Sequence, residues 1–562
     1  MQTLSQNVLV RKINFKPCMV LFLVFSFSGL IAQGVEMKVS SRYLNIPVGN
    51  DVRAKMMRLM VNGKVQREFP IQLAEDTVSY WLYIDLSEFK DQKLTINYNG
   101  SAAAMKRIYQ DDKINGADSL YKESNRPQFH FTVKRGWSND INGPIYYNGE
   151  YHLFWQAFAF GLFLNVDFMY WGHAVSKDLL HWQELEPALY LDSLGSPWSG
   201  TAVIDKNNTA GFGANALVLF YTAFDRVSKK QVQCIAYSTD GGKTFKRYKG
   251  NPVIDSNREW ESNETRDPKI LWYEPTKQWV LVLFEKNGMS FFTSTNMKEW
   301  KRQSHIMGLH ECPDFFELPV DGNAANKKWI LHGGSSDYFI GSFDGKTFTP
   351  ETEKLSYAEG TTPGWGATLY AAQSFSEMPD DRRVQIAWGR IKHEGMPFNQ
   401  MMLFPTEFSL RTTKDGMRLC SRPIREIEYL HDRAHEWQSI AAANANKELS
   451  AIKSGQLHIK MNVILEPDKY LLLMFNGNEL INFSTNDLLN ELPVPGTGKS
   501  LYDIEILIDK TSAEIFLNKG ERYIIKALQA KNNNGLEFLS EKYAPLLQQL
   551  EVYELKSIWD NE

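Results

Sequence analysis

The sequence predicts an all-β fold class: a five-bladed β-propeller followed by a C-terminal β-sandwich, with a small N-terminal β module. Helical periodicity is nearly absent from the propeller region. One apolar strand pattern recurs five times, at 151–155, 217–221, 279–284, 329–332 and 384–388. These copies are roughly 50 to 65 residues apart, which is the scale of one four-stranded propeller blade.

A second pattern, a turn followed by an aromatic residue, comes after each of the first four copies, at 176–182, 238–245, 294–300 and 342–348. Because the two patterns keep the same order, we favour a propeller over a β-sandwich with coincidental hairpins. The inner strands of all blades converge on the axis of a propeller. Residues that are distant in sequence can therefore meet in one pocket.

Residues 1–34 are expected to be a secretion signal. A basic region, a nearly all-apolar run and small residues follow one another: Arg11, Lys12 and Lys16, then 19–27, then 32–34. The apolar run is shorter than a membrane span, and a single N-terminal anchor is the alternative. We therefore expect a secreted or periplasmic protein with no stable membrane insertion once the signal is removed.

The charge and the cysteines narrow the function classes. The 562 residues carry a net charge of −4, which gives no electrostatic case for a nucleic-acid partner. Cys18 lies before the apolar run, so three cysteines remain after signal removal: Cys234, Cys312 and Cys420. An odd count without close spacing argues against a disulfide framework or a zinc site, and at most one bridge could form.

Beyond the signal, we expect an N-terminal all-β accessory module at 35–112, the propeller at 126–425 and the sandwich at 446–557. The accessory module has no cluster of acids, histidines or cysteines. It is therefore interpreted as a structural or sugar-contacting domain rather than a catalytic one. The polar stretch between propeller and sandwich is predicted to be helical around 431–437.

The propeller region opens with an acid among amide side chains. Asp140 lies beside Asn139 and Asn142, and a Gly-Pro turn signal follows at 143–144. The next two strands are joined by Asn-Gly at 148–149, a favoured hairpin turn. This placement suits contact with a polar ligand. The alternative is that Asp140 only caps a turn.

Asp140, Asp267 and Glu311 each lie shortly before a strand, in three different blades. This equivalent placement predicts that all three carboxylates point into the axial pocket. Singly, each has a simpler explanation: Asp267 could pair with Arg266 or begin a turn, and Glu311 could be a surface acid. The shared pocket is the hypothesis that accounts for all three.

Three motifs around these acids resemble those of the family 32 glycoside hydrolases, the invertases, levanases and inulinases that cleave β-fructofuranosides. They are Trp-Ser-Asn-Asp-Ile-Asn-Gly at 137–143, Arg-Asp-Pro at 266–268 and Glu-Cys-Pro at 311–313. The likeness covers residues 126 to about 557. It implies the fold that the repeats also predict, a five-bladed propeller with an appended β-sandwich.

The resemblance implies roles as well. Asp140 would be the nucleophile, Glu311 the acid/base and Asp267 the stabiliser of the transition state, in a reaction that retains configuration. We expect nearby negative charges and burial to keep Glu311 protonated near neutral pH. No metal or organic cofactor is implied. The residues expected to bind substrate are Asn139, Asn142, Gln156, Trp198, Ser199, Arg266, which would also hold an acid in place, and Trp365, which could instead be ordinary packing.

The chain departs from the family pattern after Gln156. The 157–170 segment is mostly apolar, where relatives carry a polar stretch, and Ser138 and Ile141 replace the family's Met and Pro. So many exposed apolar residues would be unusual in a soluble monomer. We expect the 157–170 segment to pack against a neighbouring domain or to line a subsite.

The sequence thus predicts a secreted retaining hydrolase that releases fructose from a fructan, levan or inulin. Two alternatives stay open. A five-bladed hydrolase of arabinose-containing glycans also uses three acids, but the contexts of Asp140 and Glu311 favour fructosides. A catalytically silent fructan-binding protein is disfavoured by the complete set of acids, while the altered 157–170 segment keeps it in consideration.

Overall fold

The computed structural model describes residues 33–466, 469–484, 492–494, 499–529, 531–540 and 545–560. The expected secretion signal, apart from its last two residues, lies outside the described residues, as does Cys18. Within these ranges, no helix has both the length and the apolar character needed to cross a membrane. The predicted all-β fold class is confirmed, because strands dominate and the α-helices of the same ranges have only four to eight residues.

The N-terminal region, residues 33–125, consists of β1 (Gln33–Lys38), β2 (Tyr43–Val48), β3 (Lys55–Val61), β4 (Lys64–Ile71), β5 (Tyr80–Asp85), β6 (Lys93–Tyr98), α1 (Ala102–Met105) and β7 (Tyr109–Asp111). The strands pair as two small sheets with the orders β1-β6-β3-β4 and β5-β2-β7. Alternate side chains of β3, Met57, Leu59 and Val61, are buried, as a half-buried strand requires.

The first three repeats of the central region consist of β8 (Gly136–Tyr147), β9 (Glu150–Phe158), β10 (Tyr170–Ser176), β11 (Trp182–Glu184), β12 (Ser196–Asp205), β13 (Ala216–Phe224), β14 (Gln231–Ser238), β15 (Lys246–Arg247), α2 (Asn257–Trp260), β16 (Thr265–Tyr273), β17 (Gln278–Glu285), β18 (Gly288–Ser294) and β19 (Lys301–Met307). Each repeat contributes four consecutive antiparallel strands to a sheet of its own, and the short strand at Phe398–Asn399 joins the first of these sheets in parallel with β8.

The rest of the central region consists of β20 (Asp314–Val320), β21 (Asn323–His332), β22 (Asp337–Phe343), β23 (Phe348–Pro350), β24 (Leu355–Ser356), β25 (Ala358–Glu359), β26 (Thr361–Thr362), β27 (Gly366–Ala367), β28 (Leu369–Ser374), β29 (Val384–Gly389), β30 (Phe398–Asn399), β31 (Met401–Met402), β32 (Thr406–Thr413) and β33 (Gly416–Pro423). The fourth and fifth repeats share one ten-stranded sheet, in which β20 meets β32 through the pair Val320–Leu410. The five apolar runs of the sequence lie in β9, β13, β17, β21 and β29.

Buried polar side chains tie together five strands, one from each repeat. Gln373 of β28 accepts a hydrogen bond from Gly143 N of β8 (3.0 Å) and donates one to Gly200 O of β12 (3.1 Å). Asp314 of β20 pairs with Lys269 Nζ of β16 at 2.9 Å and accepts a hydrogen bond from Ser374 N of β28 at 2.7 Å. The first strands of the repeats are thereby fixed relative to one another.

The prediction of a turn at 143–144 is wrong, because β8 continues through these residues to Tyr147. Gly143 is required for a different reason. Its φ is +49°, and a Cβ at this position would lie 2.1 Å from Ala202 N of β12. Glycine therefore permits close packing of β8 on β12, and the chain reverses only at the Asn-Gly turn of 148–149, where both φ values are positive.

The C-terminal region consists of β34 (His431–Ala441), α3 (Ala442–Leu449), β35 (Leu457–Leu465), β36 (Tyr470–Phe475), β37 (Asn478–Ser484), β38 (Leu492–Val494), β39 (Lys499–Ile508), β40 (Ser512–Leu517), β41 (Arg522–Ala527), β42 (Leu536–Leu539) and β43 (Leu546–Leu555). It forms an eight-stranded sheet, which includes β25 of the central region, and a three-stranded sheet with the order β37-β36-β42. The helix predicted around 431–437 is wrong. These residues form β34, because they pair with β43 more than a hundred residues away.

A buried charge cluster joins the central and C-terminal regions. His130 Nδ1 lies 2.8 Å from Asp509 Oδ2 and its Nε2 lies 2.6 Å from Glu514 Oε1, with all three side chains fully buried. Burial alone would lower the pKa of His130, but the two carboxylates raise it to about 9. At neutral pH a charged His130 therefore links the central region to the C-terminal region through Asp509 and Glu514.

The 157–170 segment packs against the N-terminal region, one of the two outcomes expected for it. The ring of Phe160 stacks on Phe69 of β4, with ring centroids 3.5 Å apart. Arg67 of β4 places its guanidinium 3.6 Å from the ring centroid of Tyr190. The apolar character of the segment is therefore explained in part by this contact.

Candidate active site

A cavity of about 200 Å³ opens where the first strands of the repeats meet. Its lining includes the three predicted acids and six of the seven residues expected to bind substrate. The lining residues are Asn139, Asp140, Gln156, Leu164, Val166, Met169, Trp198, Ser199, Arg266, Asp267, Glu311, Trp365, Tyr370, Trp388 and Arg390.

β-bulges position several of these side chains. The ladder between β8 and β9 breaks between Ser138 and Ile141, and equivalent breaks occur in β12, β16 and β28. The residues left unpaired include Asp140, Ser199 and Asp267. A bulge re-aims side chains locally while the strand continues. The sequence-based placement of Asp140 and Asp267 ahead of their strands is accordingly corrected: both lie inside strands, at bulges.

Asp140 lies at the centre of a hydrogen-bond set. Its Oδ1 accepts from Asn139 Nδ2 (3.1 Å) and its Oδ2 from Ser199 Oγ (2.8 Å), while Cys312 Sγ lies 3.7 Å from Oδ2. Burial raises the pKa of Asp140 above its ordinary value, and the bonds from Ser199 and Asn139 partly offset this rise. One carboxylate face remains directed at the cavity, since Asp140 is the partly exposed member of an otherwise buried stretch.

Asp267 is more enclosed. Its Oδ2 accepts from the backbone N–H of Cys312 (3.0 Å), and its own N–H donates to Thr222 Oγ1 (2.9 Å). Burial raises the pKa of Asp267 to about 7; Arg266 opposes this rise, and the charges of Glu311 and Asp140 add to it. Asp267 has a φ of +62°, a strained conformation for a non-glycine residue that is typical of functional sites.

Glu311 is clamped by two partners from other repeats. Arg266 donates to its Oε1 from Nη2 (2.6 Å) and Nε (3.1 Å), and Tyr370 OH donates to its Oε2 (2.5 Å). Glu311 and Cys312 have φ values of +48° and +41°, so the turn that carries the acid is also strained.

The expectation that Glu311 is protonated at neutral pH is contradicted, because the pKa of its carboxyl is lowered. Burial would raise its pKa, but the charge of Arg266 and the hydrogen bond from Tyr370 outweigh burial and lower it. Among the three carboxyls, burial and the neighbouring negative charges instead raise the pKa of Asp267, to about 7. Arg266 was expected to hold an acid in place, whereas the Tyr370 hydroxyl, from a segment 59 residues after Glu311, was not expected to contact it.

Asn142 is the expected substrate-binding residue that does not line the cavity. It is fully buried, and in the amide orientation that satisfies both its oxygen and its nitrogen it accepts from Gln156 Nε2 at 3.0 Å and donates to Ile141 O at 3.1 Å. Gln156 itself lines the cavity and donates to Pro197 O (3.0 Å). The role expected of Asn142 is therefore corrected from contact with a ligand to support of Gln156.

Part of the cavity wall comes from the 157–170 segment, which is the second outcome expected for it, although the individual wall residues were not named from the sequence. Leu164, Val166 and Met169 of the 157–170 segment form an apolar side, and Trp198 Nε1 donates to Val166 O at 2.7 Å. Arg390 supports the opposite side by donating to Trp365 O at 2.6 Å. The signal that could have revealed Arg390 is its position just after the fifth apolar repeat.

The cavity offers acid–base and nucleophilic groups. Two carboxylates, one on β8 bound by amide and hydroxyl donors and one on the turn before β20 bound by a guanidinium and a phenol, can share the tasks of attack and proton transfer at one bound substrate. Across the described residues, no group of three or more His, Cys, Asp and Glu side chains is arranged to hold a metal ion. Cys234, Cys312 and Cys420 are free thiols.

Comparison with known proteins agrees with this site. The family model described as "Glycosyl hydrolases family 32 N-terminal domain" matches residues 130–423. A levanase of Bacillus subtilis (strain 168) is 35% identical over 500 residues, which cover 78% of this chain and 72% of the levanase. An extracellular exo-inulinase of Aspergillus niger is 32% identical over 383 residues, 58% of this chain and 71% of that protein.

Comparison of the fold with solved structures agrees with the sequence comparison. The crystal structure of an exo-inulinase from Aspergillus awamori superposes with a TM-score of 0.66 at 25% sequence identity, covering 78% of this chain and 100% of the exo-inulinase. The family match spans the β8 and β16 bulges and the Glu311 turn that together build the cavity. On these grounds, the chain belongs to glycosyl hydrolase family 32.

Proposed function

We propose that the protein hydrolyses β-fructofuranosyl linkages of a fructan, levan or inulin, and releases fructose with retention of configuration. The observation that carries this proposal is the meeting of Asp140, Asp267 and Glu311 in one cavity, in a chain that shares its family with a levanase and exo-inulinases.

In the proposed mechanism, Asp140 attacks the anomeric carbon while the bond to the leaving oxygen breaks and Glu311 protonates that oxygen. A glycosyl ester of Asp140 results. Glu311 then removes a proton from water, which attacks the same carbon and frees Asp140. Asp267 accepts hydrogen bonds from sugar hydroxyls. Asn139 and Ser199 hold the carboxylate of Asp140 in its attacking orientation.

Substrate binding would place the proton on the acid that needs it. Sugar hydroxyls that donate to Asp267 favour its charged form. The proton shared within the cluster then moves toward Glu311, where the leaving oxygen lies. The strained turn at Glu311 and the clamp from Arg266 keep this carboxyl in place during the transfer.

Tyr370→Phe tests this proton balance. The Tyr370 hydroxyl stabilises the charged form of Glu311, so its removal raises the pKa of Glu311, and the acid form persists to higher pH. We expect the basic limb of the kcat/KM profile to move to higher pH, with about a tenfold loss at the optimum. Tyr357→Phe, a buried tyrosine bonded to Gln385 away from the cavity, is the matched control. A basic limb that does not move would refute the role of Tyr370.

The finer architecture is part of the same proposal. We propose that the repeats close as a five-bladed propeller at 126–425, followed by a β-sandwich at 446–557 and preceded by an accessory module at 35–112. The buried ties between five first strands support closure. The basic and apolar composition of residues 1–34 supports a secretion signal, and one exo-inulinase relative is named as extracellular.

A digestion panel tests the proposed function. Purified protein is incubated with levan, inulin, sucrose and arabinan, and the released monosaccharides are identified by chromatography. We expect fructose from levan or inulin. Release of arabinose from arabinan would reassign the substrate, and binding to levan without any release would indicate a silent binding protein. Proton NMR of the first product distinguishes retention from inversion.

A further inference from the structure

A second and larger cavity, of about 430 Å³, lies beside the catalytic one, and we name it the module groove. The N-terminal region forms one side through β4, with Gln66 and Glu68. The 157–170 segment forms another side, and the turns before β12 and after β13 form the floor. The groove exists only because the N-terminal region packs on this face.

The module groove and the catalytic cavity share one wall. In the 157–170 segment, Val166 and Met169 face the catalytic cavity, whereas the intervening Phe168 lines the groove. Trp198 lines the catalytic cavity, and its ring stacks on Phe224, which lines the groove, with centroids 4.0 Å apart. The two cavities therefore lie on either side of this aromatic pair.

Both cavities open at the same ends of the strands. Ser196, which begins β12, lines the groove, and Ser199 three residues later donates to the Asp140 carboxylate. Phe224 ends the neighbouring strand β13. The two spaces are thus consecutive along one face of the central sheets.

The groove lining mixes polar and apolar side chains and has no dominant charge. Its acids are largely paired: Glu68 with Arg226 (3.5 Å), Asp167 with Lys229 (3.5 Å) and Asp192 with Arg247 (2.9 Å). Aromatic side chains lie between these pairs. Fixed donors and acceptors with interleaved aromatic surface fit a neutral polyhydroxylated ligand better than an ion or an apolar one.

We propose that the module groove binds further sugar units of the glycan whose terminal unit occupies the cavity at Asp140. The inference rests on the proposed function and extends it: the N-terminal region and the 157–170 segment select for long substrates. This proposal also explains why the 157–170 segment departs from the family pattern, since the segment forms the wall over which the glycan passes.

Two groove variants test the proposal. Ser193→Trp fills the groove from an exposed position, and Arg226→Ala removes a half-exposed donor from its wall. For each, kcat/KM is measured on sucrose and on levan or inulin. We expect the polymer-to-sucrose ratio of kcat/KM to fall about tenfold, mainly through KM, which corresponds to about 1.4 kcal/mol. Thermal melting confirms that each variant is folded.

Lys392→Ala is the matched control, because it removes an exposed cation from a different hollow on the other side of the 157–170 segment, beside Asn50 and Gln72. We expect it to leave the ratio unchanged. An unchanged ratio in both groove variants, or an equal fall in Lys392→Ala, overturns the groove proposal alone. If the parent protein releases fructose from none of these substrates, the proposed function fails, and the groove proposal falls with it.

Discussion

Asp140→Asn is expected to fold as the parent does and to lose kcat on levan or inulin by a factor on the order of 10⁴ or more, as the loss of a covalent nucleophile does in other enzymes. The amide is nearly isosteric with the carboxylate but cannot form the glycosyl ester. Its neighbours tolerate the change, because the Ser199 hydroxyl can turn to accept a hydrogen bond where it now donates one.

Stability separates this loss from misfolding. The pKa of Asp140 is raised by burial, so its charged form opposes folding at any pH above its unfolded value. Removing the charge should leave the melting temperature unchanged or raise it. A variant with near-parental turnover, or one that melts well below the parent, would contradict the assignment.

Asp314→Asn provides the contrasting control. Asp314 is also a buried acid of the central region, but it pairs with Lys269 at 2.9 Å and accepts from Ser374 N at 2.7 Å. Burial opposes its charge, yet these partners lower its pKa. Its loss leaves Lys269 unpaired and should cost about 3–5 kcal/mol of stability. The two variants are thus distinguished, because Asp140→Asn should lose turnover and Asp314→Asn should lose stability.

The acids of the site could be predicted from the sequence because each belongs to a short local motif. Asp140, Asp267 and Glu311 lie in short motifs, and turns such as Asn-Gly at 148–149 are dictated by a few φ angles. The apolar repeats likewise predicted the strands β9, β13, β17, β21 and β29, since burial on both faces requires continuous apolar runs.

Features that depend on contacts between segments distant in sequence could not be predicted from the sequence. The bulges at Asp140 and Asp267 arise only when each strand meets its partner, and Gly143 is explained only by the approach of β12. The strand at 431–437 exists because β43 covers it. The ionisation of Glu311 depends on Tyr370, 59 residues later. Each of these properties is set by a contact rather than by a local residue pattern.

Glu311→Gln is expected to reduce kcat/KM on fructans by about 10³-fold, because the leaving sugar oxygen must be protonated and general acid catalysis is worth roughly 10² to 10⁴. The loss should be much smaller on an aryl β-fructofuranoside, whose leaving group departs without a proton. The basic limb of the pH profile should disappear, since glutamine does not titrate. Equal losses on both substrates would contradict the acid role.

The same variant exposes the covalent step. With the aryl substrate, attack by Asp140 remains fast while water lacks its base, so the glycosyl ester should accumulate. Intact-protein mass spectrometry after rapid acid quench should show a mass increase of one fructosyl unit. The double variant Asp140→Asn/Glu311→Gln should show none, because the nucleophile is missing. An adduct in the double variant would mean that the nucleophile is a residue other than Asp140. An adduct in Glu311→Gln that is absent from the double variant would assign both carboxylates to one double displacement.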